Sequence, residues 1–295
     1  MPESFAQAEI ASQPECWREA ARLAATAPDG LPQHGERVAA IGCGTSWFMA
    51  QSYAALRESA GSGVTDAFTA SELPLDRDYD RIIAITRSGT TTEVLRAVEG
   101  IRDRTPTTIL TGAPDAVGGR ARNVIDLSFC DESSVVQTRF ATTTLALLRA
   151  HLGADLTDVV EQAEQVLAAE LDPAPLEAEQ ISFLGLGWTV GLAHEAALKI
   201  REAANGWTES YPALEYRHGP ISIAQPHRVT WMFGSTPDGL AAEVRTTGAT
   251  FVNCGIDPMA DLVTVQRLAV QRALRGGLDP DRPRHLNRSV VLENA

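Results

Sequence analysis

Short apolar runs recur along the chain, each closed by glycine or hydroxyl residues and followed by a stretch with apolar positions at helical spacing. Val38-Ala39-Ala40-Ile41 runs into Gly42-Cys43-Gly44-Thr45-Ser46, and a helical pattern continues to Arg57. The same grammar returns in Arg81-Ile82-Ile83-Ala84-Ile85, then Thr86-Arg87-Ser88-Gly89-Thr90-Thr91-Thr92, then a helical stretch over 93–101. Two more runs, 107–111 and 124–129, lie between turn signals. Strands alternating with helices predict an α/β fold, a parallel sheet with helices on both faces.

Residues 4–25 carry apolar positions at helical spacing and precede a breaker-rich linker, Pro28-Asp29-Gly30-Leu31-Pro32. A second amphipathic helix is expected over 156–171, where Leu156, Val159, Val160, Ala163, Val166 and Leu167 share a face. Asp172-Pro173-Ala174-Pro175 then breaks the pattern. The expected division is an N-terminal helical segment over 1–30, a first domain over 31–172 and a second over 173–295. The second half restarts with Ile181-Ser182-Phe183-Leu184-Gly185-Leu186-Gly187-Trp188-Thr189, followed by a helix over 191–204, strands at 229–233 and 250–254, and a helix over 263–275. The two Gly-x-Gly turns lie about 143 residues apart and open equivalent units, the mark of an internal duplication.

Composition narrows the possibilities. A chain of 295 residues has room for two domains. No apolar run approaches the roughly 20 residues needed to span a bilayer, and MPESFAQAEI lacks the basic-then-apolar order of a signal peptide, so a cytoplasmic location is expected. Cys16, Cys43, Cys130 and Cys254 form no CxxC pair; buried free thiols are expected rather than disulfides or a metal site. The net charge of −13 opposes nucleic acid or an anionic membrane as partner, because both require clustered cations. No cofactor is called for.

The glycine turns carry the first chemistry. A glycine between strand and helix lets the backbone approach a phosphate, and the amides of the helix start donate to it. Gly-x-Gly alone equally serves helix packing. Here Thr45 and Ser46 follow one strand, and Thr86, Ser88, Thr90, Thr91 and Thr92 follow the next, so neighbouring strand ends present hydroxyls where open parallel sheets bind ligands. Neither a nucleotide-triphosphate loop nor the third glycine of a dinucleotide turn is present.

Both turns resemble the phosphate-loop motifs of the sugar isomerase (SIS) domain family. The resemblance continues through Glu132 to Phe140 (ESSVVQTRF), through the segment 195–220, and in the opening Glu9-Ile10-Ala11-Ser12-Gln13-Pro14 and closing Arg284-His285-Leu286-Asn287-Arg288-Ser289-Val290. It covers nearly the whole chain and is similar to the isomerase half of glutamine:fructose-6-phosphate amidotransferases. It implies two tandem SIS domains, each a parallel sheet flanked by helices, and a phosphorylated sugar or amino sugar as substrate. It also implies that Gly44, Thr45, Ser46, Thr86, Arg87, Ser88, Thr91 and Gln137 bind that substrate. Arg87 stands where the family more often has Gln, and Thr90 where it has Glu.

Glu195, Lys199 and Glu202 recur at i, i+4 and i+7, on one helix face. Read alone, they are a surface salt-bridge ladder; a carboxylate beside an ammonium in a pocket equally suits proton transfer between C1 and C2 of a sugar. The resemblance implies that Glu202 is that base, that Lys199 is its neighbour in the site, and that His218, in Arg217-His218-Gly219-Pro220, assists ring opening from the other subunit of a homodimer. His218 alone reads equally as a structural histidine. His34, His151, His194, His227 and His285 are expected to be structural or exposed, and Trp207 and Tyr211 to pack in the interior.

The family's imine-forming tail lysine is matched by Arg288, whose guanidinium stays protonated and cannot form an imine; Arg288 is expected to bind the substrate instead, through a forked contact to an anionic group or to hydroxyls. The nucleophilic N-terminal cysteine of the amidotransferases has no counterpart in Met1-Pro2-Glu3, so glutamine-dependent amination by this chain alone is not expected. What the sequence supports is an aldose–ketose isomerase or an amino-sugar-phosphate deaminase. The alternatives are a deglycase acting on a sugar-phosphate–amine adduct, or a phosphosugar sensor without turnover.

Overall fold

A computed structural model describes residues 4–292; Met1-Pro2-Glu3 lie outside them. The chain divides into two compact units, one of residues 15–156 with 287–295, the other of 1–14 with 157–286. The sequence places the division near residue 172. It falls instead before the helix Thr157–Ala168, because that helix packs on the helix Pro258–Arg275 of the second unit.

The elements run α1 (Phe5–Ala11), α2 (Gln13–Ala25), β1 (Val38–Gly42), α3 (Thr45–Ser59), β2 (Thr65–Thr69), β3 (Arg81–Ile85), α4 (Thr92–Ile101), β4 (Thr107–Thr111), α5 (Pro114–Val117), β5 (Asn123–Asp126), α6 (Arg139–His151) and α7 (Thr157–Ala168). They continue with α8 (Pro173–Glu177), β6 (Gln180–Gly185), α9 (Thr189–Ala204), β7 (Trp207–Pro212), β8 (Arg228–Met232), α10 (Leu240–Thr246), β9 (Thr250–Val252) and α11 (Pro258–Arg275). The single helix expected over 4–25 is two. Ser4 opens the first through a capping box with Gln7, Ser12 closes it, and Pro14, which lacks an amide hydrogen, sits in the first turn of the second.

In the unit of residues 15–156, five parallel strands lie in the order β2-β1-β3-β4-β5. The chain leaves β1 toward one edge and returns to β3 on its other side, so the strand order reverses between β1 and β3. Ile41, Ile82, Ala84 and Ile109 project into one core with Val94, Val98 and Ile101 of α4. Each isoleucine and valine among them contributes about 1.5–3 kcal/mol on burial. The other unit repeats the plan with four parallel strands, β7-β6-β8-β9, reversing between β6 and β8. Its α9 packs on β6, β7 and α11, and ends at Asn205, which adopts a left-handed conformation (φ 52°).

The duplication read from the glycines extends to backbone conformation. Gly44 and Gly187 both have φ of 54°, and a Cβ at either would meet open space. A Cβ at Gly42 would strike Ser46 backbone at 2.6 Å, and one at Gly185 would strike Thr189 backbone at 2.3 Å, so both turns need the helix start pressed against the strand end. Among the described residues no helix is long and apolar enough to cross a membrane. All four cysteines are free: Cys16 and Cys130 are buried as expected, Cys43 is half-buried and Cys254 is exposed.

Candidate active site

In the unit of residues 15–156, the turns after β1 and β3 lie at the carboxyl ends of the two strands where the order reverses. Neither α3 nor α4, which start from these turns, has a side-chain cap at its N-terminus. The partial positive charge of both helix starts is therefore met by no side-chain acceptor at the cap position. Thr45, Ser46, Thr86 and Ser88 are buried, Gly44 and Thr90 are exposed, and Thr91 is half-buried.

The hydroxyls after β3 form a cluster. Thr90 donates through N–H and Oγ1 to Ser88 Oγ at 3.2 and 3.1 Å, and Thr91 Oγ1 lies 3.5 Å from both Thr86 Oγ1 and Ser88 Oγ. Ser289 Oγ joins them, 3.1 Å from Ser88 Oγ and 3.0 Å from Thr90 Oγ1. Hydroxyls that satisfy one another can each turn a proton toward an incoming acceptor. Gln137 is half-buried just before α6, and its Oε1 meets no hydrogen-bond donor among the described residues.

Arg87 faces elsewhere. It is 2% exposed; Nη1 donates to Ser134 O at 3.0 Å, Nη2 to Val135 O at 3.2 Å and Arg288 O at 2.9 Å, and the Glu132 carboxylate lies 3.6 Å from Nη1. Glu132 also accepts from Thr138 N–H at 2.6 Å, Thr138 Oγ1 at 2.9 Å and Arg139 N–H at 2.8 Å, which fixes the start of α6. Arg288 Nη2 donates to both Asp131 carboxylate oxygens, at 2.6 and 2.7 Å, and Nη1 donates to Glu132 O, so the guanidinium is divided between two acceptors rather than paired as a fork with one. Within the turn after β1, burial and the Glu93 carboxylate push the Cys43 thiol up to about 11, which leaves it protonated and non-nucleophilic at neutral pH.

In the other unit, the face of α9 is not a surface ladder. Glu195 is fully buried and Lys199 is 1% exposed. Lys199 Nζ lies 3.4 Å from Glu195 Oε1 and donates to Glu202 Oε2, and Glu202 alone of the three reaches solvent. An ammonium so buried requires its carboxylates. His218 is exposed in a single turn of 3₁₀ helix, Glu215–His218. His194 Nδ1 is 2.9 Å from Ser210 Oγ, and burial together with Arg201 holds its pKa below the usual imidazole range. Tyr211 donates to Glu209 at 2.8 Å. Trp207, expected to pack inside, is 50% exposed on an edge strand with the Arg228 guanidinium 4.7 Å from its ring centre. Glu132 and Ser289 lie in motifs that the sequence shows, but nothing in it marks them, or Asp131, as site residues. Ser289 stands in the tail motif beside Arg288, and no local pattern ties it to a turn some 200 residues earlier.

Each of the two units is an open α/β sheet of parallel strands that reverses its strand order beside a glycine turn, the place in such a sheet where a ligand site can form. No family model matches the chain. Relatives are nevertheless found along most of its length, among them isomerizing glutamine–fructose-6-phosphate aminotransferases. That of Bacteroides thetaiotaomicron is 28% identical over 88% of this chain and 52% of its own length, so the chain spans about half the length of the curated relatives it matches. Among solved structures, glucosamine-6-phosphate deaminase from Thermotoga maritima superposes with a TM-score of 0.81 and 25% identity, covering 98% of this chain and 100% of that one. Tagatose-6-phosphate ketose/aldose isomerase from Escherichia coli shares the fold, with a TM-score of 0.76 and 19% identity over 99% of this chain and 97% of its own. The resemblance to the SIS phosphosugar isomerases read from the motifs is thus met in both sequence and fold.

Proposed function

We propose that the two units are tandem SIS domains and that the chain is a phosphosugar enzyme, an aldose–ketose isomerase or an amino-sugar-phosphate deaminase. The observation that carries this reading is the hydroxyl cluster of Ser88, Thr90 and Thr91 at the strand-order reversal, beside two helix starts with no side-chain cap. Such a seat suits a phosphate monoester: its donors are neutral and its field is supplied by helix ends. Ser46 and Thr86 line the same strand ends, and the Gln137 carbonyl offers an acceptor for a sugar hydroxyl.

In the proposed mechanism Glu202 takes the proton from C2 of the open-chain aldose and returns it to C1, through an enediol, to give the ketose. With an amine on C2 the same transfer gives a ketimine, which water hydrolyses to the ketose with release of ammonia. Lys199 holds the Glu202 carboxylate in place. His218 of the neighbouring subunit of a homodimer is the proposed ring-opening group, and the reading is of a cytoplasmic enzyme.

The test is calorimetry and turnover with fructose 6-phosphate, glucosamine 6-phosphate and the unphosphorylated sugars, followed by assays of ketose formation and ammonia release. Phosphosugars should bind, free sugars should bind far more weakly, and Ser88→Ala should lose about 10-fold or more for the phosphosugar alone. Equal affinity for phosphorylated and free sugars ends the reading, and tight phosphosugar binding with no turnover of any substrate makes the protein a sensor.

A further inference from the structure

The segment after residue 286 returns to the unit of residues 15–156 and lies along the turn after β3. Its backbone is paired there, with the Thr92 N–H donating to Val290 O at 3.2 Å and the Leu292 N–H donating to Thr92 Oγ1 at 2.9 Å. Between these ties and Arg288, the half-buried Ser289 hydroxyl reaches Ser88, Thr90 and Thr91 at 3.1, 3.0 and 3.5 Å. Two arginines act in opposite directions across the junction. Arg87, from the turn, grips the carbonyl of Arg288 immediately before Ser289; Arg288, from the tail, donates through Nη2 to the Asp131 carboxylate.

Resting on the reading of this turn as a phosphate seat, we propose that Ser289 is a further hydroxyl ligand of the phosphate and that Arg87 is the positioning residue that holds it there. A phosphate offers acceptors only, so each hydroxyl of the cluster turns its proton from a neighbour to the anion, and such charge-assisted bonds are about twice as strong as neutral ones. Arg87 is the residue that sequence reasoning would aim at the phosphate. Its terminal nitrogens are instead committed to the carbonyls of Ser134, Val135 and Arg288, and its charge is matched by Glu132, so it supplies shape rather than charge.

The experiment measures affinity for fructose 6-phosphate, glucosamine 6-phosphate and the corresponding free sugars in Ser88→Ala, Ser289→Ala, Arg87→Gln and the Arg87→Gln/Ser289→Ala double variant. Ser289→Ala should weaken phosphosugar binding by about 10- to 100-fold and leave free-sugar binding unchanged. Arg87→Gln should lose a similar factor, and the double variant should lose no more than either, because both changes remove the same hydroxyl from the seat. Arg87 is buried, so Arg87→Lys is the second variant should Arg87→Gln fail to fold, while Ser289→Ala leaves the buried pair untouched. If Ser88→Ala weakens binding but Ser289→Ala binds as well as wild type, or more tightly, the tail serine is a bystander or a plug and the proposal is overturned. Additive losses in the double variant overturn the positioning role of Arg87. If Ser88→Ala also changes nothing, the phosphate seat itself is wrong and the proposal goes with it.

Discussion

Lys199 is held between two carboxylates of its own helix, one fully buried and one reaching solvent, and this asymmetry separates their roles. Glu195 stabilises the buried ammonium, whereas Glu202 reaches solvent, as its proposed role as the base requires. Glu202→Gln preserves the shape and removes the basic oxygen. Substrate binding should survive within a few-fold, and turnover should fall by about 10²–10⁴-fold. Exchange of the sugar C2 proton with deuterated solvent, followed by NMR, should be lost in parallel; full turnover by the Gln variant would make Glu202 a mere counter-ion. The spacing at i, i+4 and i+7 was legible, but the burial that decides between ladder and site was not, because it depends on what packs over the face. Arg87 teaches the complementary lesson. Its place in the turn was visible in sequence, while its partners at 134, 135 and 288 come from segments that only the fold brings together.

At the scale of elements, the interior strands were legible because their side chains are buried and read as short apolar runs: 81–85 and 107–111 match β3 and β4 residue for residue. The edge strands β2 (TDAFT) and β7 (WTESYP) were not. Polar residues interrupt both, so no apolar run marks them, whereas the opposite edges β5 and β9 overlap runs that the sequence shows. Helix α6 was likewise hidden, since three threonines interrupt its apolar pattern. Where β8 meets α11, Asp261 is 2% exposed and accepts from Trp231 Nε1 at 3.1 Å. Burial pushes this carboxyl up to about 6, against the opposing pull of Cys254 and Trp231; its ordinary value is 3.8. The folded state therefore binds more protons than the unfolded state between these values, and this group's contribution to stability falls as pH rises through that window. Above pH 6 the cost is constant, on the order of 3 kcal/mol. Asp261→Asn keeps an acceptor for Trp231 and removes the charge. In urea melts it should be more stable than wild type at pH 7.5, with the difference shrinking toward zero near pH 4; a pH-independent difference would show that the carboxyl is not ionising at this cost.

For the whole molecule, the linear division expected near residue 172 gives way to units that exchange chain at 14–15, 156–157 and 286–287. Breaker residues mark a loop, and they do not reveal which side of it a helix packs on. The proposed shared site predicts a homodimer by sedimentation. Mixing Glu202→Gln with His218→Ala protomers should restore up to about a quarter of wild-type activity, since half the dimers are mixed and each has one intact site. No recovery despite verified subunit exchange would place both residues in one subunit's site. The separation in sequence between Ser289 and the turn it joins also bears on time. Ser289 follows Thr91 by 198 residues, so at about 5–20 residues per second a ribosome reaches it roughly 10–40 s after making the turn. Throughout that interval the nascent turn has its own hydroxyls and water for company, and the cluster is completed only once the segment that carries Ser289 has been made.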